Sequence, residues 1–349
     1  MEYPKFKVCC RCFTFNQAKY VTETMNGFTM QQTSFPFVCT IVDDASTDGE
    51  QKVIKDYIVE HFNLQDSPVS FEKDTDYAHI IFAQHKTNQN CYFAVLLLKE
   101  NLYSQKQNYK KFDYIAEWRD KCEYEAPCEG DDYWIVLDKL EKQVQIMDNN
   151  PNISLVHSNF FFLEENTDKL IEHKTLECSS KKDVLINIID GNKYRIQTMT
   201  TLFRLKDYYK VIQSDDFLYN SCYFLMGDTQ LWTGLLTIGD IYCINTPTSV
   251  YRINSGSVSN QNDLQKKYRF SLSCSELRLY LLNKYNLSDC SVHNVITKQY
   301  NENLLFYKLF NPKFTPIFSP QFPYSIIWSC LYAFRLNIII KYLLKRWKS

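Results

Sequence analysis

Strand-like and helix-like segments alternate along the first 160 residues, and this alternation limits the possible folds more than any other feature. Short apolar runs are followed by longer segments with helical periodicity. Such a series predicts an α/β fold with a mostly parallel sheet flanked by helices, whose ligands bind beyond the carboxyl ends of the strands. We predict strands over Phe6–Phe13, Phe37–Val42, His79–Ala83, Tyr124–Cys128, Ile153–Leu163 and Thr198–Arg204, and helices over Ala18–Met30, Gln51–His61, Tyr92–Leu102, Phe112–Cys122 and Leu137–Met147.

The character of the sequence changes after about residue 260. Helical patterns over Leu264–Tyr285 and Val292–Phe310 are followed by a stretch with four prolines, which exclude a long helix there. Residues 187–228 show no pattern that assigns their structure in detail. We therefore divide the chain into an α/β domain over 1–260, a helical extension over 261–310, a Pro-rich linker over 311–323 and a last helix over 324–349.

Composition excludes several classes of protein. With 349 residues, 45% of them hydrophobic, the chain can bury a full core. Its 39 basic and 40 acidic residues cancel, so no overall positive field recruits nucleic acid, and we predict no such partner. Thirteen cysteines, an odd number in a long chain, fit reduced core thiols. Cys9, Cys10 and Cys12 lack the matching second pair that a zinc site needs. No export leader opens the chain, so we expect a cytoplasmic protein.

Three carboxylates crowd into the segment CEGDDYW at residues 128–134. Glu129, Asp131 and Asp132 repel one another unless water solvates them or they share a cation. An isolated turn of this kind is more often simply solvated. However, hard oxygen ligands suit Mg²⁺ or Mn²⁺, and the oxygens of a diphosphate can complete the coordination shell.

Two further polar clusters follow predicted strands and favour the cation. Thr14, Phe15 and Asn16 follow the first strand, and Asp43 and Asp44 follow the second. An aromatic ring, small polar donors and a carboxylate are what a nucleotide base and its ribose require. Because parallel strands end at one edge of the sheet, all three clusters are expected to line one crevice.

The motifs occur in an order that is far more specific than any one of them. They are FTFNQAKYV at 13–21, MQQTSFPF and IVDDASTDG within 30–49, PCEGDDYW at 127–134, KLEKQV at 139–144, MGDTQLW at 226–232 and VYRINSGSVS at 250–259. In this order and approximate spacing they resemble the family-2 glycosyltransferases with the GT-A fold, especially bacterial members that make surface polysaccharides. The resemblance covers roughly residues 5–260.

The resemblance implies an enzyme that uses a nucleoside-diphosphate sugar and Mn²⁺ or Mg²⁺. It also implies a role for each matching residue. In the nucleotide site, Phe15 stacks on the base, Thr14 and Asp44 contact base or ribose with Asn16 beside them, and Asp43 supports the turn that contains Asp44. Around the reacting sugar, Glu129 faces the ribose or donor sugar, Asp131 and Asp132 hold the metal, and Asp228 is the catalytic base.

The implied reaction is an inverting transfer to a hydroxyl of a glycan or lipid-linked acceptor. Asp228 also suits a plain helix N-cap, because it stands at a predicted helix start. Two rival functions remain open: a sugar-nucleotide binding module whose chemistry has lapsed, and a nucleotidyltransferase. The latter usually cradles a triphosphate in a Gly-rich loop, and the chain has only eight glycines.

The last segment, residues 324–349, predicts an amphipathic helix with a basic end. Arg335, Asn337 and Lys341 disfavour a membrane span, because a charge at mid-bilayer is costly. We expect the helix to lie in the plane of the cytoplasmic leaflet of the cell membrane, with its lysines on anionic headgroups. Docking on the protein's own core is the alternative.

Overall fold

The computed structural model describes residues 4–65, 70–165, 167–191, 194–253 and 263–318. The strands are β1 (Val8–Thr14), β2 (Phe37–Asp43), β3 (Ser70–Asp74), β4 (Ala78–Gln84), β5 (Cys91–Leu98), β6 (Tyr124–Pro127), β7 (Tyr133–Trp134), β8 (Ile153–Glu164), β9 (Lys169–His173), β10 (Leu202–Arg204) and β11 (Asp240–Ile253). The helices are α1 (Val21–Thr29), α2 (Glu50–His61), α3 (Lys110–Arg119), α4 (Lys139–Asn149), α5 (Lys181–Asp190), α6 (Leu205–Gln213), α7 (Asp216–Asn220), α8 (Asp228–Ile238), α9 (Leu264–Lys284) and α10 (His293–Phe310).

The described strands form one sheet in the order β3-β4-β5-β2-β1-β6-β10-β8-β11-β7, with β9 paired to β8. Its centre, β5-β2-β1-β6, is parallel, as is the pair β8-β11, while the other pairs are antiparallel. Strands β2 and β5 are buried along their whole length, as expected of parallel strands covered on both faces. The predicted α/β class, with a helical C-terminal region, is confirmed.

Helices cover both faces of the sheet. Apolar side chains of α1, α2 and α4 pack on one face, and those of α3 pack on the other. Helix α1 lies unusually close to β7, since a Cβ on Gly27 would come within 2.9 Å of the Trp134 nitrogen. The predicted helices over 18–30, 51–61, 112–122 and 137–147 are therefore confirmed, with shifted ends.

One predicted element is wrong, and the strand predicted over 198–204 is shortened to β10, because Thr198–Thr200 forms a 3₁₀ helix. Residues 92–102 were expected to form a helix, but β5 occupies Cys91–Leu98 and pairs with β2 and β4. Its sequence, CYFAVLLL, is a continuous apolar run, and such a run fits a strand buried on both faces as well as a buried helix. The neighbouring strands settle the matter because they leave a gap that only a strand can fill with backbone hydrogen bonds.

Charged side chains inside the sheet are paired. Arg11 of β1 donates from Nε to Glu125 Oε1 of β6 at 2.7 Å, and Arg119 of α3 donates from Nε to Glu125 Oε2 at 2.5 Å. Burial alone would raise the pKa of the Glu125 carboxyl, but Arg119 and Arg11 hold it below its usual value. This pairing explains how two apolar strands accommodate charged residues.

The chain packs as two units. The first contains residues 1–220 and 228–254, and the second contains 221–227 and 255–349. In the described part of the second unit, α9 and α10 pack along each other through a core that includes Leu272, Leu277 and Leu304. The expected helical extension is present, and residues 311–318 contain no helix.

The last predicted helix, residues 324–349, lies outside the described residues. Among the helices that are described, none is long and apolar enough to span a bilayer. The twelve cysteines of the described ranges carry free thiols, and Cys9, Cys10 and Cys12 are buried in β1.

Candidate active site

The loops after β1, β2 and β6 meet at one edge of the sheet. Thr14 and Asp43 are paired at the ends of β1 and β2, and β6 runs into the EGDD turn (residues 129–132) beside them. Gly130 packs directly on the β1 loop: a Cβ there would lie 2.5 Å from Gln17 Oε1 and 2.6 Å from Thr14 Cβ. The three clusters predicted to share a crevice are therefore adjacent.

Glu50 joins the first two loops. This buried carboxylate, the first residue of α2, accepts hydrogen bonds from the Thr14 hydroxyl, from Gln17 N at 2.8 Å and from Ser46 Oγ at 2.9 Å. Burial raises the pKa of Glu50, and the three hydrogen bonds oppose that rise. Sequence reasoning missed this residue, because a glutamate at a helix start reads as an ordinary solvated one.

The β1 loop presents one aromatic ring to solvent. Asn16 has a positive φ of 54°. Its Oδ1 accepts from Thr47 N at 2.8 Å, and its main-chain N donates to Ser46 Oγ at 2.8 Å. Thr14 and Asn16 thus hold the loops together, while Phe15 between them is 45% exposed. Phe15 therefore offers an open aromatic face, whereas the Asn16 side chain, although exposed, already accepts from Thr47 N.

Asp44 is buried and engaged by the protein. Its carboxylate accepts from Leu102 N at 2.8 Å and from Tyr103 N at 3.1 Å, and it forms an ion pair with Lys111 Nζ at 2.9 Å. These contacts tie the β2 loop to the segment after β5 and to α3.

Asp43 differs from Asp44 in that only one of its carboxylate oxygens accepts hydrogen bonds from the described residues. Its Oδ1 accepts from Ser46 N at 3.1 Å and from Gln51 Nε2 at 2.6 Å. Its Oδ2 is buried and has no hydrogen-bond partner within the residues that the structure describes. Burial raises the pKa of this carboxyl, against the pull of its hydrogen bonds.

Hydrogen bonds from residues of α1 and β11 hold the EGDD turn in place. Thr24 Oγ1 donates to the carbonyl oxygens of Gly130 (2.9 Å) and Asp132 (2.7 Å). From β11, Arg252 N donates to Asp132 Oδ1 at 2.9 Å, and Arg252 Nε donates to Asp131 O at 3.0 Å. The Asp132 side chain is therefore buried. This burial, and to a lesser extent the negative charge of Asp131, raises the pKa of Asp132 well above the usual value.

Glu129 is a partly exposed carboxylate of the turn. Its Oε1 lies 3.5 Å from Arg11 Nη1, and over a third of the side chain is exposed. Burial, together with the negative charge of Asp131, raises the pKa of Glu129, and the positive charges of Arg11 and Lys111 oppose this rise. The carboxylates of Glu129 and Asp131 are thus near neighbours.

The turn suits a hard cation only in part. Across the described ranges, no three His, Cys, Asp or Glu side chains converge into a metal-binding group. Asp131 and Asp132 carry the carboxylate oxygens that Mn²⁺ and Mg²⁺ prefer, and Mg²⁺ sites commonly take their remaining ligands from water and substrate phosphate. The donor set therefore fits an ion that arrives with a phosphate-bearing substrate.

Asp228 begins α8, as predicted, and its half-buried Oδ1 accepts from Thr229 N at 2.7 Å. Burial raises the pKa of Asp228. Tyr251 of β11 lies within electrostatic range of Asp132, Asp131 and Asp228, and burial together with these charges raises its pKa to about 12. Asp228 and the EGDD turn therefore both lie within electrostatic range of Tyr251.

Comparisons with known proteins give distant similarities. No family model matches the chain. Uncharacterised proteins of Mycobacterium tuberculosis and Mycobacterium bovis are 28% identical to it over 202 residues, which is 58% of this chain and 48% of theirs. The chain spans about half the length of these curated relatives.

Two solved structures show a loose overall likeness. S. aureus TarS 1–349 in complex with UDP-GlcNAc has a TM-score of 0.49 and 15% identity, over 87% of this chain and 73% of that one. The mannosyltransferase PcManGT from Pyrobaculum calidifontis, in complex with GDP-Man and Mn²⁺, has a TM-score of 0.46 and 10% identity, over 96% and 81%. Both TM-scores are below 0.5, and the sugar nucleotides are ligands of those two proteins.

Proposed function

We propose that the chain is an inverting glycosyltransferase of the GT-A, family-2 type. It would move a sugar from a nucleoside-diphosphate sugar to a hydroxyl of a glycan or lipid-linked acceptor in surface polysaccharide synthesis. The observation that carries the proposal is the meeting of the three strand-end loops, where Gly130 packs on Thr14 and Gln17. Ligands of open α/β sheets bind at such an edge.

The base and ribose of the donor would bind on the β1 and β2 loops. The exposed ring of Phe15 supplies a stacking surface, and Asp43 Oδ2 is an acceptor that the described residues leave without a partner. Thr14, Asn16 and Asp44 shape this site through the hydrogen bonds that tie the loops together.

The diphosphate would bind beside the EGDD turn. In this proposal Asp131 and Asp132 hold the cation, and Glu129 faces the ribose or the donor sugar. When bound, Mn²⁺ or Mg²⁺ would offset the charge that grows on the leaving diphosphate. Asp132 would contribute through Oδ2, because its Oδ1 accepts from Arg252 N.

Asp228 would take the proton from the attacking hydroxyl. Burial raises its pKa, which makes its carboxylate a stronger base than that of an ordinary aspartate. Its place near Tyr251, together with the EGDD turn, supports a base close to the reacting centre. Attack from the face opposite the leaving group inverts the anomeric configuration.

A transfer assay with labelled nucleotide sugars and Mn²⁺ separates the proposal from its rivals. We expect release of a nucleoside diphosphate with at least one donor, and loss of release in EDTA. A lapsed binding module would bind the donor without turnover, and a nucleotidyltransferase would consume a nucleoside triphosphate instead. Either result would contradict the proposal.

We also propose that the protein is peripheral on the cytoplasmic face of the cell membrane. Residues 324–349 contain no acidic residue, and Lys341, Lys345 and Lys348 are suited to anionic headgroups. Deleting 324–349 should abolish flotation with liposomes that contain anionic lipid while preserving transfer to a soluble acceptor. A truncated protein that still floats, or that unfolds, would overturn the anchor; unfolding would favour a helix docked on the protein itself.

A further inference from the structure

Arg252 lies opposite the EGDD turn. It is the penultimate residue of β11, two residues after Val250, which pairs with Tyr133 in the antiparallel ladder between β11 and β7. Its main-chain N and its side-chain Nε both reach back into the turn, to Asp132 Oδ1 and to Asp131 O. One residue therefore restrains the two consecutive aspartates of the turn.

The guanidinium of Arg252 is restrained on its other side by α1. Its Nη2 forms an ion pair with the carboxylate of Glu23, and its Cζ lies 4.5 Å from the ring centre of Tyr20 and 5.4 Å from that of Tyr133. Only 8% of Arg252 is exposed. A planar fork with several fixed donors can hold a carbonyl and a carboxylate at once, which a lysine ammonium cannot do with the same geometry.

These donors have partners within the protein, which bears on what Arg252 does. The side chain is largely buried and already bonded to Asp131 O and to the carboxylate of Glu23. Together with the hydroxyl of Thr24, it leaves the main chain of the turn little freedom to rotate.

We propose that Arg252 is a positioning residue for the EGDD turn. By holding the Asp131 carbonyl against α1, it keeps the Asp131 carboxylate preorganised for a cation, much as residues behind a metal ligand orient that ligand. The inference deepens the proposed function and rests on it for the identity of the ligand. The restraint on the turn itself can be measured without any ligand.

The first test measures hydrogen–deuterium exchange of the metal-free protein over residues 128–135. Arg252→Met keeps an unbranched side chain over Tyr20 but removes the donors, so exchange in this segment should accelerate at least severalfold. Arg204→Met is the matched control, because Arg204 also donates to main-chain carbonyls, those of Ile153 and Met147, and lies 5.4 Å from the Tyr124 ring at the start of β6. Unchanged exchange in Arg252→Met, or equal acceleration in both variants, would overturn the proposal.

The second test titrates Mn²⁺ into each variant by electron paramagnetic resonance, with UDP or GDP present. Arg252→Met should bind Mn²⁺ roughly tenfold more weakly or worse, Arg252→Lys should fall between it and the wild type, and Arg204→Met should bind as the wild type does. Wild-type affinity in Arg252→Met would show that Arg252 does not act on the cation. If the wild type itself binds no Mn²⁺ with either nucleotide, the cation of the proposed function is wrong, and hydrogen exchange alone decides the role of Arg252.

Discussion

At the scale of single residues, the site contains one exposed aromatic ring among polar groups that are already engaged. Phe15 is held between Thr14 and Asn16, whose polar atoms bond to Glu50, Ser46 and Thr47. Phe15 itself contributes little to the core, because almost half of it is exposed. An exposed ring at this position is what the proposed function requires of a residue that stacks on a base.

Changing Phe15 to Ala should therefore weaken donor binding without destabilising the protein. Loss of base stacking costs about 1–3 kcal/mol, so the donor Michaelis constant should rise about tenfold while turnover changes less. The measurement is steady-state kinetics together with a thermal melt. Intact donor affinity would remove Phe15 from the site, and a large drop in melting temperature would make it a structural residue.

Lys139, the first residue of α4, is a fully buried lysine. Its Nζ donates to Gln143 Oε1 at 2.8 Å and lies 4.1 Å from the ring centre of Trp134, and burial lowers its pKa to about 7. The unfolded chain holds this proton up to an ordinary lysine pKa near 10.4. The folded protein therefore gains stability from Lys139 as pH rises from about 7 towards 10, and loses it as pH falls back to 7.

This linkage predicts a pH-dependent difference between the wild type and Lys139→Met. Between pH 7 and 10 the unfolding free energy of the wild type should rise relative to the variant by up to about 1.4 kcal/mol per pH unit. Urea denaturation at several pH values provides the measurement, and using the difference between the two proteins cancels groups that titrate in both. Parallel profiles would show that Lys139 keeps its proton in the folded state.

At the scale of elements, the EGDD turn packs against the β1 loop so closely that there is no room for a side chain at residue 130. Gly130→Ala would push a methyl group into Thr14 and Gln17, so we expect a loss of about 1–3 kcal/mol in stability and weaker donor binding. Gly227→Ala is the matched control, since nothing lies within 4 Å of a Cβ there. Chemical denaturation of both variants makes the comparison, and equal stabilities would contradict the close packing.

The sequence predicted those elements whose signal is local. Strands β1 and β2 are short, largely apolar runs that end in polar turns, and α8 begins at an aspartate, so each could be located from its own residues. Strand β5 could not, because an unbroken apolar run carries no periodicity and its neighbours decide its state. Strand β11 also escaped prediction: its register against β8 is irregular, and it contains Pro247.

The residues behind the site were harder to predict than the site itself. Arg252 contacts Asp131 across 121 positions, and Glu50 contacts Thr14 across 36, so no spacing within a motif reveals either pair. The residues predicted to bind the donor and the cation, by contrast, lie together in short segments after strands. A single sequence thus indicates which chemical groups gather at the sheet edge, while the folded chain shows which of them are engaged by the protein.

At the scale of the whole molecule, the candidate site lies within the first of the two units. The EGDD turn, the β1 and β2 loops, Asp228 and Tyr251 all belong to it. The second unit contributes helices α9 and α10, and its basic C-terminal segment is the proposed contact with the membrane. This arrangement predicts that sugar transfer and membrane binding can be separated by mutation.

The central claim, sugar transfer with Asp228 as base beside a donor bound at the EGDD turn, is tested most directly by comparing turnover and donor affinity in Asp228→Asn. This change preserves the shape of the side chain and the start of α8 but removes the carboxylate that would act as the base. Turnover should fall about 10²-fold or more while donor affinity stays near that of the wild type. Wild-type turnover in the variant, or an equal loss of turnover and affinity, would contradict the account.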